Sequence, residues 1–193
     1  MNFDSFYVLQ SEHKRGALIV AASTDMLPPA KISQLLRGET ILSSPLQFHH
    51  HMGSRPTDIL DTGHVIPLIS DRVFNILQDD GFSGWSTYPV EVFGKGGARL
   101  PGYHGLMVTG RCGPIDQSRS RIIVKPPPVP TGRHYQVRLG LYFDPASYDG
   151  SDLFLPEGTA FILVTERVKK ALENAKCSNA ALERITEIER SLL

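Results

Sequence analysis

One short pattern occurs twice in the chain, and this repetition constrains the fold more than any other feature. Residues 68–73 read Leu-Ile-Ser-Asp-Arg-Val, and residues 163–168 read Leu-Val-Thr-Glu-Arg-Val. In each copy a leucine, Leu77 or Leu172, follows four positions after the valine. Residues four apart lie on the same face of a helix. Each copy therefore predicts the end of an apolar strand, a polar helix start and a helix with one apolar face.

The hydroxyl and the acid in each copy suit the first turn of a helix. The side-chain oxygen of Ser70 or Thr165 accepts a hydrogen bond from a free N–H group of that turn. The acid that follows is favoured at the positive end of the helix dipole. The pattern predicts helices over 70–80 and 165–177.

The predicted helices need a residue that ends each of them. Gly81 supplies the first stop and Asn179 is the candidate for the second, because both residue types tolerate the left-handed conformation. A strand is predicted after each helix, at 85–93 and at 181–189. The second segment also has helical spacing, and the repeat favours a strand.

The rest of the chain alternates strands with turns. Further strands are predicted at 6–10, 17–22, 45–51, 103–109, 121–125 and 136–144. The spacing of Ile32, Leu35 and Leu36 predicts a short helix that Gly38 ends. The run Lys-Pro-Pro-Pro-Val-Pro at 125–130 cannot continue a central strand, because proline has no N–H to donate.

These elements predict an α+β fold with a mixed, largely antiparallel sheet and two or three helices. We expect one domain over residues 1–193, with strands and a short helix in the N-terminal part, 1–57. The repeat allows two equivalent strand–helix–strand units. It does not require them, because junctions of a strand with a capped helix are common.

Composition excludes several classes of protein. Of 193 residues, 41% are hydrophobic and 21% are charged, which is globular composition and not that of a disordered chain. Twenty basic residues balance twenty acidic ones, so the net charge gives no attraction to nucleic acid or to anionic membrane. The longest early apolar run, 17–22, is too short for a signal sequence or a membrane span. We therefore expect a cytoplasmic protein.

The run His49-His50-His51 is the one candidate for a metal site. On a strand, His49 and His51 share a face, and His64 or Asp58 can supply a third ligand. The sequence has no motif of the HExxH or C-x-x-C type. We therefore predict no native metal, and a small metal-dependent hydrolase using these histidines is the alternative function.

Thiol chemistry has little support. Cys112 and Cys177 are too few for a zinc-finger ligand set, and they form either one disulfide or, as we expect in the cytoplasm, two reduced thiols. Cys112 with His104 or His134 has the residue types of a nucleophile and its base, but no motif places them together. We therefore predict no catalytic residue and no cofactor.

Charge and aromatic residues point to a binding surface. Residues 111–138 contain six Arg or Lys and one acid, and residues 139–166 contain five acids and no Arg or Lys. Two such surfaces either neutralise each other within the fold or steer a charged partner. Trp85, Tyr88 and Tyr103 flank glycine-rich turns, where large aromatics act as interface anchors or as core residues at strand ends. The chain has no recognisable RNA-binding motif.

Four motifs resemble a family of small bacterial proteins of uncharacterised function. They are GWSTYPV at 84–90, GYHGL at 102–106, TGRCGPID at 109–116 and SDLF at 151–154. The two helix starts also resemble a larger group of immunity-like domains, which accompany polymorphic toxins and protect the producing cell by binding the toxin. The matching region covers about 58–190.

The resemblance implies a non-enzymatic cytosolic protein that binds a protein partner, a toxin or effector. Separately from the resemblance, we expect no membrane association, and the balanced charge and the lack of an RNA-binding motif count against a nucleic acid partner. The zinc knuckles of some relatives are not carried over, because this chain has only the single Arg-Cys-Gly at 111–113. Candidate partner-binding residues are Trp85, Tyr88, Tyr103, Arg111, Arg119 and Arg121.

Overall fold

The computed structural model describes residues 1–22, 28–40 and 42–192. In this part of the chain there are three α-helices: α1 (Pro29–Leu36), α2 (Asp71–Asp79) and α3 (Glu166–Asn174). The strands are β1 (Phe6–Ser11), β2 (Ile19–Ala22), β3 (Leu46–Met52), β4 (Ile59–Leu60), β5 (Leu68–Ser70), β6 (Trp85–Phe93), β7 (Arg99–Leu100), β8 (Tyr103–Val108), β9 (Gly110–Cys112), β10 (Arg121–Lys125), β11 (Tyr135–Leu139), β12 (Leu153–Pro156), β13 (Leu163–Thr165), β14 (Ala180–Arg184) and β15 (Glu189–Ser191). The predicted α+β fold is confirmed.

The strands form three sheets. A seven-stranded sheet has the order β2-β3-β6-β8-β5-β4, with β7 beside β6. A five-stranded sheet has the order β14-β1-β13-β12-β9, and a three-stranded sheet has the order β10-β11-β15. The pairs β3–β6 and β9–β12 are parallel. The other pairs of named strands are antiparallel, as the sequence predicted.

The two copies of the repeat form equivalent units. In the first unit the strand order is β4-β5-β8-β6, and α2 joins β5 to β6. In the second unit the order is β12-β13-β1-β14, and α3 joins β13 to β14. The third strand of the first unit follows β6 in the chain, whereas the third strand of the second unit is β1. The N-terminal strand is therefore part of the second unit.

Both helices contact the same main core. Val73 and Leu77 of α2 are buried, as are Val168 and Leu172 of α3. All four belong to one continuous apolar cluster, in which α2 and α3 lie next to each other. The spacing that predicted one apolar face on each helix is thus satisfied by burial between the units.

The helices end in the same way, and one predicted stop is wrong. Gly81 has φ +65° and Lys176 has φ +52°, so each helix ends on a left-handed residue. In each case the next N–H donates to the carbonyl oxygen five positions back, at 3.1 and 3.0 Å. Lys176 therefore ends α3, and the predicted stop, Asn179, lies three residues further along the chain.

Two predicted strands differ from the structure by more than two residues. The strand predicted over 136–144 ends at Leu139, because Gly140 has φ +94° and turns the chain away from the sheet. Residues 181–189 were predicted as one strand. They form the end of β14, a turn and the start of β15, and they contain no helix.

A second core lies on the other face of the five-stranded sheet. Along β1, Tyr7 and Leu9 belong to the main core, whereas Phe6 and Val8 belong to a smaller cluster. Successive side chains on a strand point to opposite faces, so β1 is covered on both sides. The smaller cluster contains Phe6, Phe143, Tyr148 and Phe154, whose ring centroids are 4.6–6.0 Å apart.

Each unit begins with an aspartate that binds groups from both units. In the first unit, Oδ1 of Asp58 accepts a hydrogen bond from the hydroxyl of Ser70 at 2.9 Å. Its Oδ2 accepts from the N–H and the hydroxyl of Ser178, at 2.7 and 2.8 Å, and lies 3.5 Å from Arg72. Burial raises the pKa of Asp58, but the bonds from Ser178 and Ser70 and the charge of Arg72 together hold it below its usual value.

The second unit repeats this arrangement reciprocally. Asp152 accepts from the hydroxyl of Thr165 at 3.0 Å and lies 3.3 Å from Arg167. It also accepts from the N–H and the hydroxyl of Ser83, at 3.1 and 3.2 Å. Ser83 follows α2 and Ser178 follows α3, so each unit supplies the serine that binds the other unit's aspartate.

The two predicted helix caps differ. Ser70 accepts a hydrogen bond from the N–H of Val73 at 3.4 Å, so its predicted role is confirmed. Thr165 makes no side-chain hydrogen bond to α3, so its predicted capping role is wrong. Its hydroxyl is oriented toward Asp152 instead.

Candidate protein-binding surface

The three-stranded sheet and its surroundings contain most of the exposed large apolar side chains. Eight such side chains occur among the described residues, and five of them lie on this sheet, in the loop between β10 and β11 or directly after β15. These five are Ile122, Val124, Val129, Tyr135 and Leu192. Exposed apolar side chains grouped in this way are typical of interaction sites.

The strand register shows which side chains share a face of this sheet. Ile122 lies opposite Arg138, and Val124 lies opposite Gln136. Arg138 in turn lies opposite Arg190 of β15. Opposed residues point to the same side, and alternate residues along a strand share a face. These five residues therefore define one face, which we call the outer face.

The other face of the sheet turns toward the protein. Val137 on this face is buried, and Ile123 opposite it is half-buried. On the outer face Ile122 and Val124 remain 54% and 61% exposed. The sheet is thus covered on one side and presents an apolar centre on the other.

The sheet has a surplus of positive charge. Residues 117–138 contain no acid. Within the described ranges, Arg121, Arg133, Arg138 and Arg190 take part in no ion pair, whereas Lys125 is paired with Glu189 at 2.5 Å. This surplus attracts an anionic partner.

The side chain of Arg190 has buried hydrogen-bond donors that lack partners in the described part of the chain. Its Nε and Nη2 atoms are buried and have no hydrogen-bond partner among the described residues. Burial lowers the pKa of Arg190, and the neighbouring charge of Arg138 lowers it further. Neither Arg190 nor Arg138 makes an ion pair with a described residue, so both add to the positive charge of the outer face.

Two of the predicted arginines lie beside this surface. Arg121 opens β10 and is exposed. Arg119 is also exposed, but its Nε lies 3.2 Å from Asp116 and its guanidinium lies over the ring of Phe3 at 5.8 Å. Arg121 is therefore the freer of the two.

Arg111 has a structural environment. Its guanidinium donates hydrogen bonds to the carbonyl oxygens of Val108, Gly110 and Arg37, at 2.6, 2.8 and 2.7 Å. Burial lowers the pKa of Arg111, and the charge of Arg37 acts in the same direction. Its guanidinium is therefore occupied by the fold, which counts against the predicted place in a binding surface.

The predicted aromatic anchors lie elsewhere. Tyr88 is 3% exposed and packs against Gly105, where a Cβ would overlap its ring. Burial raises the pKa of Tyr88. It offers no ring to a partner, so its prediction as a surface anchor is wrong.

Trp85 and Tyr103 are half-buried and hydrogen-bonded within the fold. The indole N–H of Trp85 donates to the carbonyl oxygen of Phe82 at 2.8 Å. The hydroxyl of Tyr103 donates to the carbonyl oxygen of Thr57 at 3.0 Å, and burial raises its pKa to about 12. Neither side chain belongs to the three-stranded sheet.

The histidine run lies on β3 with alternating orientation. The ring of His49 stacks on Phe93 at 5.0 Å. The ring of His50 makes a hydrogen bond with the carbonyl oxygen of Gly53 at 2.7 Å, and His51 is exposed. In the part of the chain that the structure describes, no group of three or more His, Cys, Asp or Glu residues is placed to hold a metal ion.

The cysteines are free, and Cys112 is buried. Burial raises the pKa of Cys112 to about 12, and the charge of Asp149 contributes to the increase. A thiol with this pKa is a poor nucleophile at neutral pH. His104, proposed as its base, is bonded to Asp71 at 2.7 Å.

A cavity of about 930 Å³ lies elsewhere, between β1, α1 and the loops at 61–67 and 160–162. Its described lining is largely apolar. Nδ1 of His13 lies 2.7 Å from Oδ2 of Asp61, so this carboxylate is already paired.

These observations define an α+β protein with a duplicated unit and an exposed apolar and basic sheet. The chain belongs to the Immunity protein family (Imm11), whose family model matches residues 8–187. No curated protein matches the chain in sequence. Among the described residues, none of the helices has the length and apolar character needed to cross a membrane.

The family match confirms the resemblance to immunity-like domains and extends it. The motifs indicated about 58–190, whereas the match begins at residue 8. The fold gives the reason, because β1 is a strand of the second unit. The exposed pair Ile122 and Val124 was not predicted as a site. Its only signal is the apolar run of β10 between Arg121 and Lys125.

Proposed function

We propose that this protein protects the cell that makes it by binding a toxin non-covalently, in the bacterial cytoplasm and without catalysis. Membership of an immunity protein family supports a toxin as the partner. On this proposal the protein acts by covering a surface of the toxin.

The observation that carries the proposal is the outer face of the three-stranded sheet. Its apolar centre, Ile122 and Val124, is exposed, and Arg138 and Arg190 adjoin it. Protein interfaces combine a desolvated apolar centre with arginines at or near it. The exposed side chains of Arg121 and Arg133, which make no ion pair with any described residue, favour a toxin with an acidic binding surface.

The alternative, a metal-dependent hydrolase, has less support. It needs His49 and His51 to converge on one ion with a third ligand. Of the two suggested third ligands, Asp58 is bonded to Ser70 and Ser178.

The test uses the product of the toxin gene that this proposal expects next to the gene of this chain. The wild-type protein is expected to form a stoichiometric complex with it and to restore growth of cells that make the toxin. Ile122→Ser combined with Val124→Ser is expected to weaken the complex at least about tenfold, close to 1.4 kcal/mol. Val65→Ser is the matched control, since Val65 is 47% exposed and lies in the loop between β4 and β5, away from the three-stranded sheet.

Two outcomes would contradict the proposal. An unchanged dissociation constant for the double variant would remove the outer face from the interface. Protection at a small fraction of the toxin's concentration, abolished by a chelator, would favour a catalytic mechanism that depends on a metal.

The charge of the surface has a separate test. Arg121→Ala with Arg133→Ala is expected to slow association with an acidic toxin, and the difference from wild type should shrink with added salt. The screening length falls from about 10 Å at 0.1 M to about 3 Å at 1 M. Arg15→Ala, at an exposed arginine in the loop between β1 and β2, serves as the control.

A further inference from the structure

We propose that the open edge of β10, the side of its backbone away from β11, binds an extended acidic segment of the toxin as an added β-strand. The proposal rests on the proposed function and specifies how the partner is held. Added strands gain affinity from backbone hydrogen bonds and specificity from alternate side chains.

The edge of β10 is open in the described part of the chain. β11 is the central strand of the three-stranded sheet, and among the described residues β10 pairs with β11 alone. The N–H and C=O groups of alternate residues in β10 therefore point away from β11. Such a row of unpaired backbone groups is a template for another strand.

The chain limits this edge at both ends. A 3₁₀ turn at Gln117–Arg119 precedes β10, and the prolines at 126–128 follow it. Prolines have no N–H and cannot extend a ladder of hydrogen bonds. The open edge is therefore the five residues Arg121–Lys125, and an added strand is expected to be about as long.

The side chains of β10 specify the added strand. Ile122 and Val124 lie on the outer face, so apolar residues are expected at alternate positions of the partner segment. Arg121 and Lys125 lie on the other face. Lys125 is paired with Glu189, whereas Arg121 makes no ion pair with any described residue. A carboxylate of the partner is therefore expected beside Arg121.

The opposite edge of the sheet is less suitable. β15 is three residues long and reads Glu-Arg-Ser. It offers fewer backbone groups and no apolar side chain within the strand. The position of the exposed apolar pair thus selects the edge at β10.

Hydrogen exchange on the 193-residue chain, free and bound to the same toxin, tests the proposal. Amides of alternate residues in 121–125 are expected to exchange at least about tenfold more slowly in the complex. The intervening amides bond to β11 and should be protected in both states. Binding with no new protection in β10 would overturn the added strand and leave the proposed function intact. Failure of the wild-type protein to bind would overturn both.

Proline substitutions at residues 122, 123 and 124 give a second measurement. Proline is tolerated on an edge strand where the lost N–H faces outward. At a residue whose N–H faces away from β11, proline should lower the affinity for the toxin at least about tenfold and leave the melting temperature unchanged. At a residue whose N–H bonds to β11, proline should lower the melting temperature. Full affinity in every proline variant that keeps the wild-type melting temperature would contradict the proposal.

Discussion

The two units make the same polar contacts with different residues at several positions. Ser70 and Thr165 each bond to the aspartate of their own unit, and an arginine two residues later approaches the same carboxylate. Only Ser70 also caps its helix. The hydroxyl residue shared by the two units is therefore explained by its bond to the aspartate. Helix capping is a further role that this residue has in the first unit.

A second difference concerns the residue that follows Ser83 or Ser178. In each unit this residue approaches the residue after the other unit's aspartate. Gly84 has φ +83°, and a Cβ there would overlap the carbonyl oxygen of Leu153. The equivalent Asn179 has φ +61°, and its amide donates to the carbonyl oxygen of Ile59 at 2.8 Å. One unit brings the backbones together, and the other fills the same space with a hydrogen-bonding side chain.

Placing each unit's residue in the other unit, at positions 84 and 179, tests this difference, and the substitution at position 84 should change the free energy of unfolding more than any other substitution considered below. Gly84→Asn is expected to cost about 4 kcal/mol, because it combines a backbone overlap with a left-handed non-glycine residue. Asn179→Gly should cost about 2 kcal/mol through the lost buried hydrogen bond. Chemical denaturation measures both. Equal costs would mean that the two sites are packed alike.

Asp58 and Asp152 are expected to contribute equally to the free energy of unfolding. Asp58→Asn and Asp152→Asn should each cost about 2.5 kcal/mol in the free energy of unfolding, because each removes hydrogen bonds to a charged acceptor. A near-zero cost at one site with a full cost at the other would contradict the reciprocal arrangement.

The pH dependence of Asp58 has a definite sign. Its folded pKa is lowered, so its contribution is fully present above the unfolded value of about 4 and is lost as pH falls through the folded pKa. The difference in unfolding free energy between wild type and Asp58→Asn should therefore shrink below about pH 4. A constant difference down to about pH 2 would be inconsistent with the lowered pKa.

Substitutions that remove the hydroxyl of Ser70 or Thr165 should have smaller effects on stability than the aspartate substitutions. Ser70→Ala should cost about 2 kcal/mol, because it removes both a cap and a bond to a carboxylate. Thr165→Val keeps the shape of the side chain and removes the carboxylate bond alone, for about 1 kcal/mol. Thermal melts of the two variants should show this order, and the reverse order would refute the assignment of the cap.

The helix ends give the smallest expected effect. Lys176 is exposed and left-handed, whereas its equivalent is Gly81. Lys176→Gly should raise the unfolding free energy by about 0.5 kcal/mol, because relief of the left-handed strain exceeds the added freedom of the unfolded chain. A loss of stability would show that the lysine side chain contributes more than its conformation costs.

The sequence predicted the repeated elements because their signals are local. Apolar spacing and a hydroxyl–acid pair lie within ten residues. The partners of Asp58 and Asp152 were not predicted, because Ser178 is 120 residues from Asp58 and Ser83 is 69 residues from Asp152. No short pattern marks a contact between segments so far apart.

Of the predicted binding residues, Arg121 alone lies on a strand of the three-stranded sheet. Arg119 and Arg121 are exposed, because charged side chains stay in water, and their place in a binding surface stays a prediction. Tyr88 is not exposed, since Gly105 provides the space that buries its ring. The exposure of Ile122 and Val124 also depends on which face of β10 the rest of the chain covers, and the strand pattern does not contain that information.

The position of β1 in the second unit has a consequence for synthesis. Its partners β13 and β14 are translated long after it, and Thr186 donates a hydrogen bond to Asp4, 182 residues away. The first unit takes all its strands from residues 59–108 and can assemble on the ribosome. Contacts of long sequence separation form slowly. We therefore expect both edges of β1 to stay unpaired until β13 and β14 have been synthesised, and the nascent chain to be most exposed to aggregation and to chaperones during that interval.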